Sequence, residues 1–136
     1  MGRVYYEIDP DLRQNQTIVD LELAPRNARG KVAFDGDLFL LAPRDLSSAN
    51  GAILYDVNNR GNKLALRFFN DAPGGNDPRE EADAGEGFLM RQGFVVVWRG
   101  WDGELLPGNN RLRLNVPVAR GTSGPITGPV RNEIVP

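Results

Sequence analysis

Apolar residues are spaced in two ways along this chain, and each way predicts a different kind of strand. In Thr17–Leu23, Val19, Leu21 and Leu23 point one way and Asp20 and Glu22 the other, the period of a half-buried strand. Arg111–Val118 alternates again, with Leu112, Leu114, Val116 and Val118 on one face. Lys31–Leu41 reads as a strand that pairs antiparallel with Thr17–Leu23, and its Asp35-Gly36 step marks a bulge or bend. Val4–Ile8 is a short β-prone run closed by the turn signal Asp9-Pro10. By contrast, Ala52–Val57 is a compact apolar run, which predicts burial on both faces. Phe94–Trp98 is the most hydrophobic strand of all, and Val130–Val135 reads as a last strand.

Between the two apolar strands, Lys63–Phe69 has the spacing of a short helix. Asn70–Glu81 is a Pro/Gly/Asp-rich loop. Ala82–Gln92 is expected to become helical toward Phe88, Leu89 and Met90, with Gly93 as the stop. Strand, loop, helix and strand in this order form a right-handed parallel crossover. The expected architecture is α+β or α/β: a β-rich mixed sheet with antiparallel flanking strands, one parallel crossover and one or two short helices. Residues 1–136 are read as a single domain, in keeping with their number.

Composition narrows the chemistry. The chain has no histidine and no cysteine, so the usual general base and thiol nucleophile are missing, as are Cys/His zinc sites. A net charge of −2 provides no basic footprint for nucleic acid. No apolar run approaches the roughly 20 residues that span a bilayer, so no membrane partner is expected. The first residues lack the apolar core of a signal peptide, which makes a cytoplasmic location the default. Basic charge is almost wholly arginine, lysine occurring only at Lys31 and Lys63.

Two segments carry a resemblance. Tyr55-Asp56-Val57-Asn58-Asn59-Arg60-Gly61-Asn62-Lys63, and Gly93-Phe94-Val95-Val96-Val97-Trp98-Arg99-Gly100-Trp101-Asp102-Gly103, resemble bacterial α/β-hydrolase-domain proteins. Ile18–Ala28 and Gly87–Met90 fit the same family. The resemblance covers nearly the whole chain but only the N-terminal portion of such a protein. It implies an antiparallel pair first, then a strand with an oxyanion loop, a helix, and a parallel strand. The nucleophile elbow, the acid and the histidine would lie further on. Asn58, Asn59, Arg60 and Gly61 would be the oxyanion loop, offering backbone N–H groups to a developing negative charge, with an Asn amide as an extra donor. The implied reaction is ester or related acyl hydrolysis on a small-molecule substrate.

The residues themselves leave other chemistry open. Gly121-Thr122-Ser123-Gly124-Pro125 misses the spacing of a hydrolase elbow and reads as a loop. Carboxylates are the remaining acid–base groups. Asp56 sits inside an apolar strand, while Asp102 and Glu104 follow another, near Arg60 and Arg99. Such a pair could act as catalytic acid and base or hold Ca²⁺ or Mg²⁺, though no resident cofactor is called for; an ion-paired turn explains the same residues. Trp98 is expected in the core, whereas Trp101, in a turn, is the better candidate for contact with a substrate. Unpaired sheet edges add one more expectation, a homo-oligomer built by strand pairing.

Overall fold

The computed structural model describes residues 1–133. It has five strands and two short α-helices: β1 (Gly2–Ile8), β2 (Val32–Leu41), β3 (Ile53–Asp56), α1 (Ala65–Asn70), α2 (Phe88–Arg91), β4 (Val95–Arg99) and β5 (Leu114–Asn115). The strands form one mixed sheet in the order β1-β2-β4-β3, with β5 on β2. This is the β-rich mixed fold that the sequence predicts. β2 and β4 are antiparallel with Phe39 opposite Trp98, and β3 and β4 are parallel with Leu54 beside Val96 and Asp56 beside Trp98. The described end of the segment expected to form the last strand, residues 130–133, has no strand structure, and 134–135 lie outside the described residues.

The chain divides into two compact units. One comprises Met1–Tyr6 and Phe34–Val116; the other comprises Glu7–Ala33 and the chain from Pro117 onward. The second unit buries Leu21 and Val32 and carries several polar contacts. Arg26 makes a two-pronged pair with Asp11 at 2.8 and 3.1 Å, and Glu7 accepts from Asn27 at 2.6 Å and also from Arg29. Arg29 therefore holds the Glu7 carboxyl below its usual range.

In the first unit the helices cover one face of the sheet. Phe39, Val96 and Trp98 pack there against Leu66 of α1 and Leu89 of α2, with Leu112 closing the cluster. Burying such side chains contributes roughly 1.5–3 kcal/mol each. Phe39 and Trp98 meet edge to face at 5.8 Å between ring centres. Asn70, the last residue of α1, links the helices: its amide donates to Ala84 O, and its Oδ1 accepts the N–H of Leu89. Gly93 ends α2 with φ +74°, and the N–H groups of Gly93 and Phe94 close onto Met90 O and Leu89 O.

Three expectations are corrected. Thr17–Leu23 is not a strand. Asp20 takes a left-handed conformation at φ 56°, Leu21–Leu23 is a single 3₁₀ turn, and Val19 is 84% exposed. Alternation makes a strand only where a partner edge is free, and β2 pairs instead with β1, β4 and β5. Ala52–Val57 is not buried on both faces: β3 is at the end of the sheet, and Ile53 and Tyr55 are 68% and 51% exposed. Arg111–Val118 yields only the two strand residues of β5, with Val116 and Val118 exposed. Its backbone bonds go to several different segments: Leu112 N–H to Gly61 O, Arg113 N–H to the Asp37 carboxylate, and Leu114 N–H to Asp102 O. That pattern cannot extend into a ladder.

At Asp35-Gly36, β2 changes partners. Asp35 and Gly36 face β5, and Leu38–Leu41 face β4. The bridging residue Asp37 donates its N–H to Arg113 O and accepts at its own carbonyl from Gly100 N–H. The Asp35-Gly36 step, expected to be a bulge or bend, lies within the continuous strand β2 where two partner strands share it.

Candidate functional site at the strand C-termini

Because β3 and β4 are parallel and in register, the loops that follow them emerge at the same edge of the sheet. Residues 58–62 and 99–104 lie side by side there. Asn58 joins them. It is 1% exposed, its amide donates to Arg99 O at 2.6 Å, and its Oδ1 accepts from Gly61 N–H at 2.7 Å. The Trp101 indole donates to Asn58 O at 2.8 Å while the residue stays 49% exposed. Trp101 is thus both a tie between the loops and a half-open aromatic surface at the site. Trp98, as expected, is fully buried.

The loop 58–62 is folded tightly on itself. Asn59 and Asn62 exchange backbone bonds, and Gly61 donates to Asn58 Oδ1. Asn58 thus spends one amide hydrogen on Arg99 O and its Oδ1 on Gly61, and the N–H groups of Asn59, Gly61 and Asn62 are bonded within the loop. Arg60, held at φ 47°, carries an N–H without such a bond among the described residues, and the Asn59 side-chain amide is likewise unengaged. Both residues are exposed at the depression formed by this loop.

Glycine is needed twice here. At Gly61 (φ +81°) an added Cβ would lie 2.6 Å from Leu112 O, and at Gly100 it would lie 2.2 Å from Arg113 O. Both strand-end loops press against the 111–113 segment. This close approach could not be read from the Asn-Arg-Gly motif alone.

The carboxylates divide by role. Asp56 is structural, its Oδ2 accepting from Leu64 N–H, Ala65 N–H and the Trp98 indole. Asp102 closes a turn by accepting Glu104 N–H at 2.9 Å and pairs with Arg60 at 3.1 Å. The Glu104 N–H first, and the Arg60 guanidinium second, hold its carboxyl below the ordinary aspartate range. This is the ion-paired turn anticipated as the simpler reading of Asp102. Glu104 is exposed and lines an open depression of about 410 Å³ with Asn59, Arg60, Asn62 and Arg111. Arg99 turns away from this depression and lies over the Tyr6 ring at 4.0 Å.

Arg111 is a residue that sequence reasoning did not single out. Its guanidinium donates to Leu106 O, and its Nε is buried without an acceptor among the described residues. Nothing in its local sequence marks it, because chain folding alone brings it beside Gly61. Among the described residues no cluster of three or more carboxylates is placed to hold a metal ion, so the Ca²⁺ or Mg²⁺ alternative finds no ligand set there.

The fold and this edge define a β-rich α+β protein with two arginines and unengaged amide donors where its parallel strands end. No family model matches the chain, and no curated protein or solved structure is similar to it.

Proposed function

We propose that this chain forms the oxyanion side of an α/β-hydrolase-type acyl hydrolase. The observation that carries the reading is the parallel unit β3–loop–α1–β4 with β2 antiparallel beside β4, which brings loops 58–62 and 99–104 to one edge. In open α/β sheets, ligands bind in the crevice beyond the carboxyl ends of the strands. An ester carbonyl oxygen placed there meets the Arg60 N–H and the Asn59 amide, with the Arg60 and Arg111 charges close by. The attacking hydroxyl and its histidine would come from residues outside this segment, since these 136 residues contain no histidine.

The isolated chain is then expected to bind phenylphosphonate, a mimic of the tetrahedral oxyanion of acyl transfer, moving the backbone amide resonances of 59–62 and 100–104. It should not hydrolyse p-nitrophenyl butyrate above a heat-treated control, with or without Mg²⁺ and Ca²⁺. Phosphonate shifts confined to other parts of the chain, or none, would overturn the reading. Turnover that follows the protein through purification and is lost in Glu104→Gln would replace it with a carboxylate enzyme.

A second reading, self-assembly through a sheet edge, draws on β3. It has one strand neighbour among the described residues, exposes Ile53 and Tyr55, and carries neither Lys nor Pro, the residues that usually blunt an edge.

A further inference from the structure

The first unit has a second concavity, at the edge away from the 58–62 and 99–104 loops. β2 runs antiparallel to β4, so the end of β2 lies beside the beginning of β4, and a cleft of about 380 Å³ opens there. That volume is within the range of small-molecule sites. Leu41, Met90 and Phe94 line it as partly buried extensions of the core, together with the buried Leu66. The charged lining residues Arg79, Glu80 and Arg91 are exposed, so the cleft is apolar inside and charged at its mouth.

The charges at the mouth are not equivalent. Arg79 is already paired with Asp77 at 2.8 Å. Arg91 donates to the carbonyl oxygen of Glu86 and has no carboxylate partner among the described residues. Arg91 is the last residue of α2, and its guanidinium reaches back to the segment just before that helix. A guanidinium with unused donors beside an apolar cavity matches a ligand with a hydrocarbon body and one carboxylate.

We propose that this cleft binds a small amphiphilic carboxylate, with its hydrocarbon part against Leu41, Met90 and Phe94 and its carboxylate on Arg91. The site is separate from the strand C-terminal edge and does not depend on the hydrolase reading. The test is a titration of the isotopically labelled full chain with octanoate, octanol and acetate. Octanoate is expected to shift the resonances of Leu41, Met90 and Phe94 and to bind at least tenfold more tightly than octanol, and acetate not to bind at this site. Arg91→Gln should remove the preference for octanoate and leave octanol affinity unchanged. Ala42→Trp, at an exposed lining position, should block both. Equal affinity for octanoate and octanol, an unaltered Arg91→Gln variant, or shifts confined to other residues would each overturn the proposal.

Discussion

The indole of Trp98 donates to Asp56 Oδ2 at 2.5 Å, and the same oxygen accepts the N–H groups of Leu64 and Ala65 at 2.9 and 2.8 Å. One carboxylate oxygen thereby joins two parallel strands to the start of the crossover helix. Asp56→Ala leaves the indole N–H of a fully buried tryptophan without a partner, at an expected cost of about 3 kcal/mol. Asp56→Asn can keep its amide oxygen at the position where all three bonds meet and should cost about 1 kcal/mol. Urea unfolding followed by tryptophan fluorescence measures both. Equal losses in the two variants would mean that the charge, not the hydrogen-bond geometry, is what matters.

Lys63 adds a pH signature. It is 5% exposed, its ammonium donates to Asn76 O at 2.5 Å, and it lies 4.5 Å from the centre of the Phe39 ring. Burial pushes its pKa down from 10.5 to about 8. Below pH 8 the folded and unfolded chains are both protonated here, and the cost of burying the charge is fully present. Between about pH 8 and 10.5 the unfolded chain holds a proton that the folded chain has lost, so stability rises with pH. Lys63→Met should flatten that rise and stabilise the protein near neutral pH by roughly 1–3 kcal/mol. Denaturation midpoints across pH 7–11 provide the comparison.

Asp102 behaves in the opposite sense. Its carboxyl lies below the ordinary 3.8, held there by the Glu104 N–H and Arg60, so its contribution is present above about pH 4 and lost as pH falls through the folded value. Asp102→Asn can still accept the Glu104 N–H but loses the charge facing Arg60. The expected outcome is a retained turn, seen as unchanged amide protection at Glu104, with a weaker acid dependence of unfolding. A collapsed turn would show that the Arg60 ion pair is what holds it.

Gly100 and Gly61 set how closely the strand-end loops pack on 111–113. Gly100→Ala places a methyl group against the Arg113 backbone, with contacts at 2.2, 2.5 and 2.7 Å, and no flexible side-chain end can give way. The expected loss is about 3 kcal/mol. Gly61→Ala combines a similar clash with strain at φ +81° and should cost as much. Gly30→Ala, at φ +74° with open space around it, should cost about 1 kcal/mol, which separates conformational strain from close packing in the same thermal-melt series.

If copies pair through β3, light scattering on a size-exclusion column gives at least a dimer mass at high micromolar concentration. Ile53→Lys, a charge on that exposed edge, returns the monomer. A monomeric parent protein would end the assembly reading.

The sequence by itself determined the strands whose apolar content leaves them no alternative: Phe94–Trp98, the crossover into it, the short helix after Gly61 and the glycine stop at 93. In each, local pattern and tertiary burial ask for the same conformation. Tertiary structure decided the rest, because partnership is not written in local periodicity. Thr17–Leu23 alternates as well as any strand in the chain, yet β2 is paired elsewhere, and the segment closes turns instead. Tyr55 and Ile53 look like core residues, but they alternate with Leu54, which packs on the core, and stay exposed on β3 at the end of the sheet. At the candidate site, the loop 58–62 was legible because Asn and Gly announce tight turns. Which of its donors remain unspent was not, since that depends on Asn58 meeting Arg99 across 41 residues of chain. Arg111 came to the site for the same reason: contacts between distant segments follow from packing the whole sheet, which no window of sequence contains.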